Sequence, residues 1–394
     1  MNYILFDDTT KDALKPLTYT RPVCEIRLGI MTIREKWEKA LDTKTSTLTD
    51  DYLSKKYPMT MSEAMLLINS SVCPRPAMIE MIKNMQPGQT LIGGEVVIAM
   101  YKTKEGFLSE EEENSERLEY NGELVKLNSL ADIFLLNDKE LRYDFEVLTK
   151  GRISMPISQT NMIIGKENIF VEEGAKIECS IINASKGPVY IGKQAEIMEN
   201  AVIRGPFAML EHAVVKLSAK IYGVTTIGPY CKVGGELENV VMFGYSNKAH
   251  DGFFGNSVIG EWCNIGADSN ASNLKNTYED VRLWSIDKNT FLSTGTIFCG
   301  TIMADYSKCG INTMFNTGTV VGVNCNIFGA GYQRNFVHSF SWGGNAGGVR
   351  VYDIEKAIEV AEIVQKRRNI EMTTEDKDIL RHIYKEVTKN KRLG

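Results

Sequence analysis

The chain has 394 residues, 45 Lys+Arg against 50 Asp+Glu, a formal net charge of −5 and 43% hydrophobic residues. This balance excludes a disordered or low-complexity chain, and the length predicts two or three domains. It also argues against a dedicated nucleic-acid binder, which carries a basic stripe, and no run of about 18 apolar residues predicts a membrane span.

The start, MNYILFDDTT, lacks the basic and apolar regions of an export signal, so the cytoplasm is the expected location. Residues 1–152 read as a mixed α/β domain. YILF (3–6) is an apolar run ending in Asp7 and Asp8, the pattern of a buried first strand. Ile30, Ile33, Trp37 and Leu41 have helical spacing, predicting a helix over 29–41. Pro87-Gly88 marks a turn, and TLIGGEVVIAMY after it reads as two strands. The acidic run 109–116 reads as a solvated loop or helix start.

Residues 153–348 repeat. Ile191, Ile197, Ile203, Met209, Val215, Ile221, Ile227 and Val233 are spaced by six without exception. Four residues after each stand Ala195, Ala201, Phe207, Ala213, Ala219, Thr225, Cys231 and Leu237. A second run keeps the period through Ile297, Met303, Cys309, Phe315, Val321 and Ile327, with companions Thr301, Ser307, Thr313, Thr319, Cys325 and Gly331. A short piece has Ile259 and Ile265 with Cys263 and Ser269. A period of six fits neither a 3.6-residue helix nor simple strand alternation. It fits a parallel β-helix with three flat faces, one hexad per face, and turns at positive φ. Interruptions are expected at 242–256 and 273–290, and an irregular stretch, 331–348, ends the repeat. Residues 349–394 form a helical segment. Asp353 caps a first helix with Ile354, Ile358, Ala361 and Val364 on one face. Thr373-Thr374 starts a second, with Ile379, Ile383, Tyr384 and Val387 inward. Both are expected to pack on the β-helix or on a neighbouring subunit.

The eight cysteines show no zinc spacing and mostly fall in apolar periodic segments, which predicts core packing. Of His212, His250, His338 and His382, His250 stands out because KAHDGFFG is a glycine-flanked stretch between repeat blocks, and His is the natural general base near neutral pH. Three zinc histidines, as in a γ-type carbonic anhydrase, are not available around it.

GPFAMLEHA, then YSNKAHDGFFGNSVIGEWCNIGADSNASN, resembles the acetyltransferase half of the bifunctional N-acetylglucosamine-1-phosphate uridyltransferase/glucosamine-1-phosphate acetyltransferase family, with its GPFARLRPGA, KAGHLTYLGD and NIGAGTITCNYDG. The order of domains matches too. PLTYTRPVCEIRLGI and TIREKW, within 16–37, resemble the sugar nucleotidyltransferase-like domain of the alternative, Bacteroidetes-type form. The resemblance implies a left-handed β-helix, a homotrimer with sites between neighbouring helices, and acetyl-CoA lying along the coils near 295–331. It implies His250 as the catalytic base, Asn273 as the residue orienting the amino sugar, and Asn264 and Ala267 as sugar contacts. Three family positions depart: an Arg is Glu211, a Lys is Glu238 and a Tyr is Phe253, so two phosphate-binding cations are replaced by anions. Lys248 or Arg204 would then take their place, or the acceptor lacks a phosphate there.

The family's glycine-rich triphosphate loop is also missing, with no glycine between Asn2 and Gly29. Asp7, Asp8, Lys15, Arg21 and Arg27 are the residues left to bind a nucleotide, with Mg2+ if that site is active. The implied activity is acetyl transfer to an amino sugar (phosphate), combined with sugar-1-phosphate nucleotidyl transfer in UDP-sugar and cell-envelope precursor synthesis. The alternative is a catalytically decayed regulator that binds a sugar nucleotide.

Overall fold

The structure is a computed structural model that describes residues 2–109 and 116–389. Most of the acidic run, residues 110–115, lies outside the described residues. The chain forms two compact units. One comprises Met1–Leu14, Thr20–Ile26 and Met31–Asn128, the other Lys15–Tyr19, Arg27–Ile30 and Ser129–Gly394.

The first unit is built on a six-stranded mixed sheet. Its strands and two nine-residue helices are, in chain order, β1 (Asn2–Phe6), α1 (Ile33–Leu41), β2 (Thr45–Leu48), β3 (Ala64–Asn69), α2 (Pro76–Asn84), β4 (Gln89–Gly93), β5 (Val96–Thr103) and β6 (Glu116–Glu119). The strand order is β2-β1-β3-β5-β4-β6. The apolar run 3–6 is β1, parallel to both neighbours, with Ile4 and Leu5 fully buried. The expected pair of strands after Pro87-Gly88 is the antiparallel pair β4 and β5. The helix expected over 29–41 starts at Ile33. The Thr32 hydroxyl accepts from the Glu35 N–H at 3.1 Å, and the Glu35 carboxylate accepts from the Thr32 N–H at 2.6 Å. This capping box fixes the helix start regardless of the apolar spacing before it.

The second unit is a parallel β-solenoid. Three faces stack strand upon strand. Face I runs through Ile181–Asn183, Val202–Arg204, Lys220–Tyr222, residues 236–238, residues 253–255, Asn270–Ala271 and Met314–Phe315. Face II runs through Val189–Ile191, Phe207–Met209, Thr225–Ile227, residues 240–242, residues 257–259, Ile302–Met303 and Val320–Val321. Face III runs through Glu196–Ile197, Val214–Val215, Lys232–Val233, Asn247–Lys248, Asn264–Ile265, Lys308–Cys309 and Asn326–Ile327. The hexad aliphatics from Ile191 to Val233 are all at most 2% exposed, and their companions from Ala195 to Leu237 are fully buried. Each buried aliphatic contributes about 1.5–3 kcal/mol, and stacking joins them into one continuous core.

The second run frays at its ends: Ile297 is 36% exposed and Gly331 is exposed, while every position between them is buried. Ile297 lies at the base of an insertion that leaves after Asn273, folds as an antiparallel hairpin of Arg282–Ser285 and Thr290–Ser293, and rejoins at Cys299, whose N–H donates to the Asn273 carbonyl at 2.9 Å. The insertion expected at 273–290 is therefore real and longer. The interruption expected at 242–256 is not an excursion. Glu236–Gly244 and Phe253–Glu261 are continuous strands, and the coil is shortened: Ile227 pairs with Met242, Val233 with Lys248, and Leu237 with Phe254. The irregular stretch 331–348 adds one more rung at Phe336–Val337 and Ser341–Gly344, closed by antiparallel Gly348–Val351.

Helix α3 (Asn137–Thr149) covers the lower part of face II, where Leu141 packs with Phe170, Tyr190 and Ala208. The C-terminal segment forms α4 (Ile354–Lys366), capped by Asp353, and α5 (Thr374–Thr388), opened by a Thr373/Asp376 capping box. Seven of the eight cysteines are buried and all are free thiols.

Candidate active site

The solenoid corners hold residues at positive φ, and the corner between faces II and III is lined by rings. His212, Tyr230, Tyr245, Trp262 and Tyr306 all have φ between 54° and 61°. They stack in sequence at centroid separations of 4.7, 5.2, 4.3 and 6.5 Å. Each stacked pair offsets part of the cost of a bulky residue in the left-handed region. Helix α4 is tied to this edge: Gln365 Nε2 donates to the Tyr306 hydroxyl at 2.8 Å, and Arg368 donates to the Tyr230 carbonyl and to Asn247 Oδ1, both at 3.3 Å.

His250 sits at the opposite end of face III, at the corner leading to face I, and is exposed. Its backbone is fixed from inside. Lys248 occupies an inward position, between Val233 below and Ile265 above in the face III column, and is 2% exposed. Its ammonium donates to the Gly234 carbonyl at 3.0 Å and to the His250 carbonyl at 2.9 Å, and lies 5.7 Å from the centre of the Phe254 ring. Burial lowers its pKa to about 8, against the pull of Asp251. Lys248 is therefore a prop for the His250 turn and does not present its charge to a sugar phosphate. Gly235, one coil below, makes room: a Cβ there would stand 2.8 Å from Asp251 Cα and 2.9 Å from the His250 oxygen.

Asn264 lies outward on face III directly above Asn247, and Ala267 follows at the His250 corner one coil up. Those three predicted residues share one edge. Phe253 and Asn273 form a second group on face I. A Cβ at Gly255 would be 2.4 Å from Asn273 Nδ2 and 2.7 Å from Phe253 Cζ, so amide and ring converge over that glycine. Asn273 Nδ2 also donates to Asn256 Oδ1 at 2.8 Å. Glu238 pairs with Gly255 in the strand below, and burial, helped by Glu236, raises its pKa. Phe253 opens this strand beside the His250 corner, whereas Asn273 stands over Gly255 and Asn256 at the far end of residues 253–255, a span of ~10 Å. Arg204 is on Val202–Arg204, three strands below Phe253–Glu261, too far to serve this site. Glu211 is exposed on the ring-lined corner.

Two cavities flank the site. One of about 620 Å³ lies between the inserted hairpin and the coils, lined by residues including Lys275, Arg282, Phe291, Asn316 and Tyr332. The other, of about 340 Å³, lies on face III, lined by Lys232, Tyr245, Asn247, Ala249, Asn264, Val364, Arg367 and Arg368. Asn264 is legible in a local motif but the cations around it are not, because Arg367 and Arg368, just past the end of α4, reach face III only through tertiary packing.

The nucleotide-site residues are distributed differently from expectation. Asp7, Asp8 and Arg21 belong to the first unit, Lys15 and Arg27 to the second. Asp7 accepts from the Val23 N–H at 3.0 Å, the Ser70 hydroxyl at 2.6 Å and the Thr49 hydroxyl at 2.7 Å. Burial raises its pKa, and these hydrogen bonds oppose the rise. Asp8 accepts from Asn69 Nδ2 and the Thr10 N–H, both at 2.9 Å, and faces Lys126 at 3.4 Å. Each oxygen of the two carboxylates already accepts from a protein donor, so a Mg2+ ion would have to share them. Among the described residues no group of three or more His, Cys, Asp or Glu is arranged to hold a metal. Arg21 is buried. Arg27 is a buried structural clamp, donating to the Phe243 carbonyl at 3.1 Å and the Ile30 carbonyl at 2.5 Å. Lys15 lies 3.9 Å from Glu386 and 5.2 Å from the Tyr19 ring centre.

No curated protein matches the sequence. Among solved structures, the polySia-specific acetyltransferase NeuO aligns at 14% identity over 50% of this chain and 88% of its own, with a TM-score of 0.25. An Arabidopsis UDP-N-acetylglucosamine acyltransferase aligns at 15% over 60% and 84%, TM-score 0.21. The Campylobacter jejuni UDP-N-acetylglucosamine acyltransferase aligns at 15% over 58% and 96%, TM-score 0.19. Residues 3–153 match the family model described as sugar nucleotidyl transferase, so the chain joins a segment similar to that family to a hexad-repeat parallel β-solenoid.

Proposed function

We propose that the chain transfers the acetyl group of acetyl-CoA to the amine of an amino-sugar phosphate at the His250 corner, in the synthesis of UDP-sugar precursors. The observation that carries this reading is the placement of an exposed His250 on a turn held by Lys248, between Asn264 and Ala267 on one side and the Phe253–Asn273 floor on the other. The amine nitrogen attacks the thioester carbon. The His250 imidazole takes the proton that nitrogen releases, the C–S bond breaks, and the sulfur leaves as CoA thiol once it regains a proton. Asn273 and Asn264 orient the sugar. The cavity under the inserted hairpin, with Lys275 and Arg282, is the place for the CoA phosphates. The working form is proposed to be a cytoplasmic homotrimer in which neighbouring solenoids complete the site.

For the N-terminal segment, the commitment of Asp7 and Asp8 to protein donors favours binding of a sugar nucleotide over metal-assisted nucleotidyl transfer. Thiol release from acetyl-CoA, measured across hexosamines with and without a 1-phosphate, tests the main reading. Release that depends on a hexosamine and disappears in His250→Ala supports it. Release unchanged in that variant overturns it.

A further inference from the structure

We infer that the cavity between face III and the C-terminal end of α4 is an anion site that takes the phosphate of the acceptor, held by Lys232, Arg367 and Arg368. The choice of occupant rests on the acetyl-transfer reading; the anion site itself rests on geometry. Three cations from two distant parts of the chain line one cavity of about 340 Å³, within the ordinary range for a small-molecule site. Among the described residues no carboxylate lines it. Arg368 is anchored by Tyr230 and Asn247, so the guanidinium is held in place before any ligand arrives. Burial, then the charges of Arg368, Lys216 and Arg367, lower the Lys232 pKa, with Glu196 opposing. Like charges gathered in one cavity repel until an anion enters, and arginine forks match phosphate oxygens. The same cavity is lined by Asn264 and by Ala249, the residue before His250, so a sugar whose phosphate sits there lies beside the proposed base. The cations lost at Glu211 and Glu238 are thus replaced from another face.

The test is calorimetric binding to the full chain of a hexosamine 1-phosphate, the unphosphorylated hexosamine, inorganic phosphate and acetyl-CoA. Wild type is expected to bind the phosphorylated sugar at least tenfold tighter than the plain sugar, and to bind inorganic phosphate. Lys232→Met with Arg367→Gln should abolish both effects while leaving the unfolding midpoint and acetyl-CoA binding unchanged. Arg367→Lys, which keeps the charge, should retain most of the preference. A preference that survives the double variant, a loss that falls on acetyl-CoA instead, or a loss as deep in Arg367→Lys would overturn the site. If the wild type binds hexosamine phosphate in this way yet releases no thiol, the anion site stands and the acetyl-transfer reading falls.

Discussion

Face I and face III meet at the His250 corner and carry opposite chemistry there. Face I presents Phe253, the Asn273 amide and, one strand down, the half-buried Glu238. Face III presents Lys232, Asn247 and Asn264, with Arg367 and Arg368 brought over them by α4. The inward residues of both faces form one apolar column apart from Lys248. The difference teaches that a hexad solenoid separates fold from chemistry. Packing dictates the inward residues, and the outward ones are free, so charge can move from one face to another without disturbing the coil.

The largest effect is expected at the corner itself. Replacing His250 with Ala should lower acetyl transfer by about 10²–10⁴-fold, with the circular dichroism spectrum unchanged, because the side chain is exposed. The next largest effect belongs to Lys248. Its pKa falls from the ordinary lysine range to about 8, so the folded protein binds fewer protons than the unfolded chain between pH 8 and that range. Stability should therefore rise as pH climbs through this window, by about 3 kcal/mol at most. Lys248→Met should remove that slope in denaturant titrations run at pH 7 and pH 10.

Face I alone is probed by Gly255→Ala, whose Cβ would push the Asn273 amide and the Phe253 ring apart. A loss of about tenfold in kcat/KM, ~1.4 kcal/mol, is expected with little change in the unfolding midpoint. An unaltered kcat/KM would remove that pair from the site. The smallest effect concerns the scaffold behind face III. Tyr245→Leu interrupts the ring stack and should cost about 1 kcal/mol in chemical denaturation.

The solenoid was legible because its period is imposed by geometry: each inward position between Ile191 and Val233 had to be small enough and apolar enough to stack. The start of the Ile33–Leu41 helix was legible too, in the Thr32/Glu35 capping box rather than in the apolar spacing that points to 29. Lys248, a lysine near a loop, reads as a surface residue, whereas the shortened coil places it in the interior column beside Val233. The ring stack has no constant period: residues 212, 230, 245, 262 and 306 follow coils of unequal length and then skip the inserted hairpin. His250 and Asn264 were visible in local motifs. The cations that complete the cavity were not, since Lys232 and Arg367 are brought together only by the packing of α4 on the solenoid.

The decisive measurement is single-turnover acetyl transfer to a hexosamine 1-phosphate, comparing wild type with His250→Ala at saturating acetyl-CoA. Wild type is expected to give N-acetylated sugar phosphate and one equivalent of CoA thiol, and the variant a rate at least ~10²-fold lower. Equal rates in the two proteins, or acetylation of no amine by wild type, would contradict it.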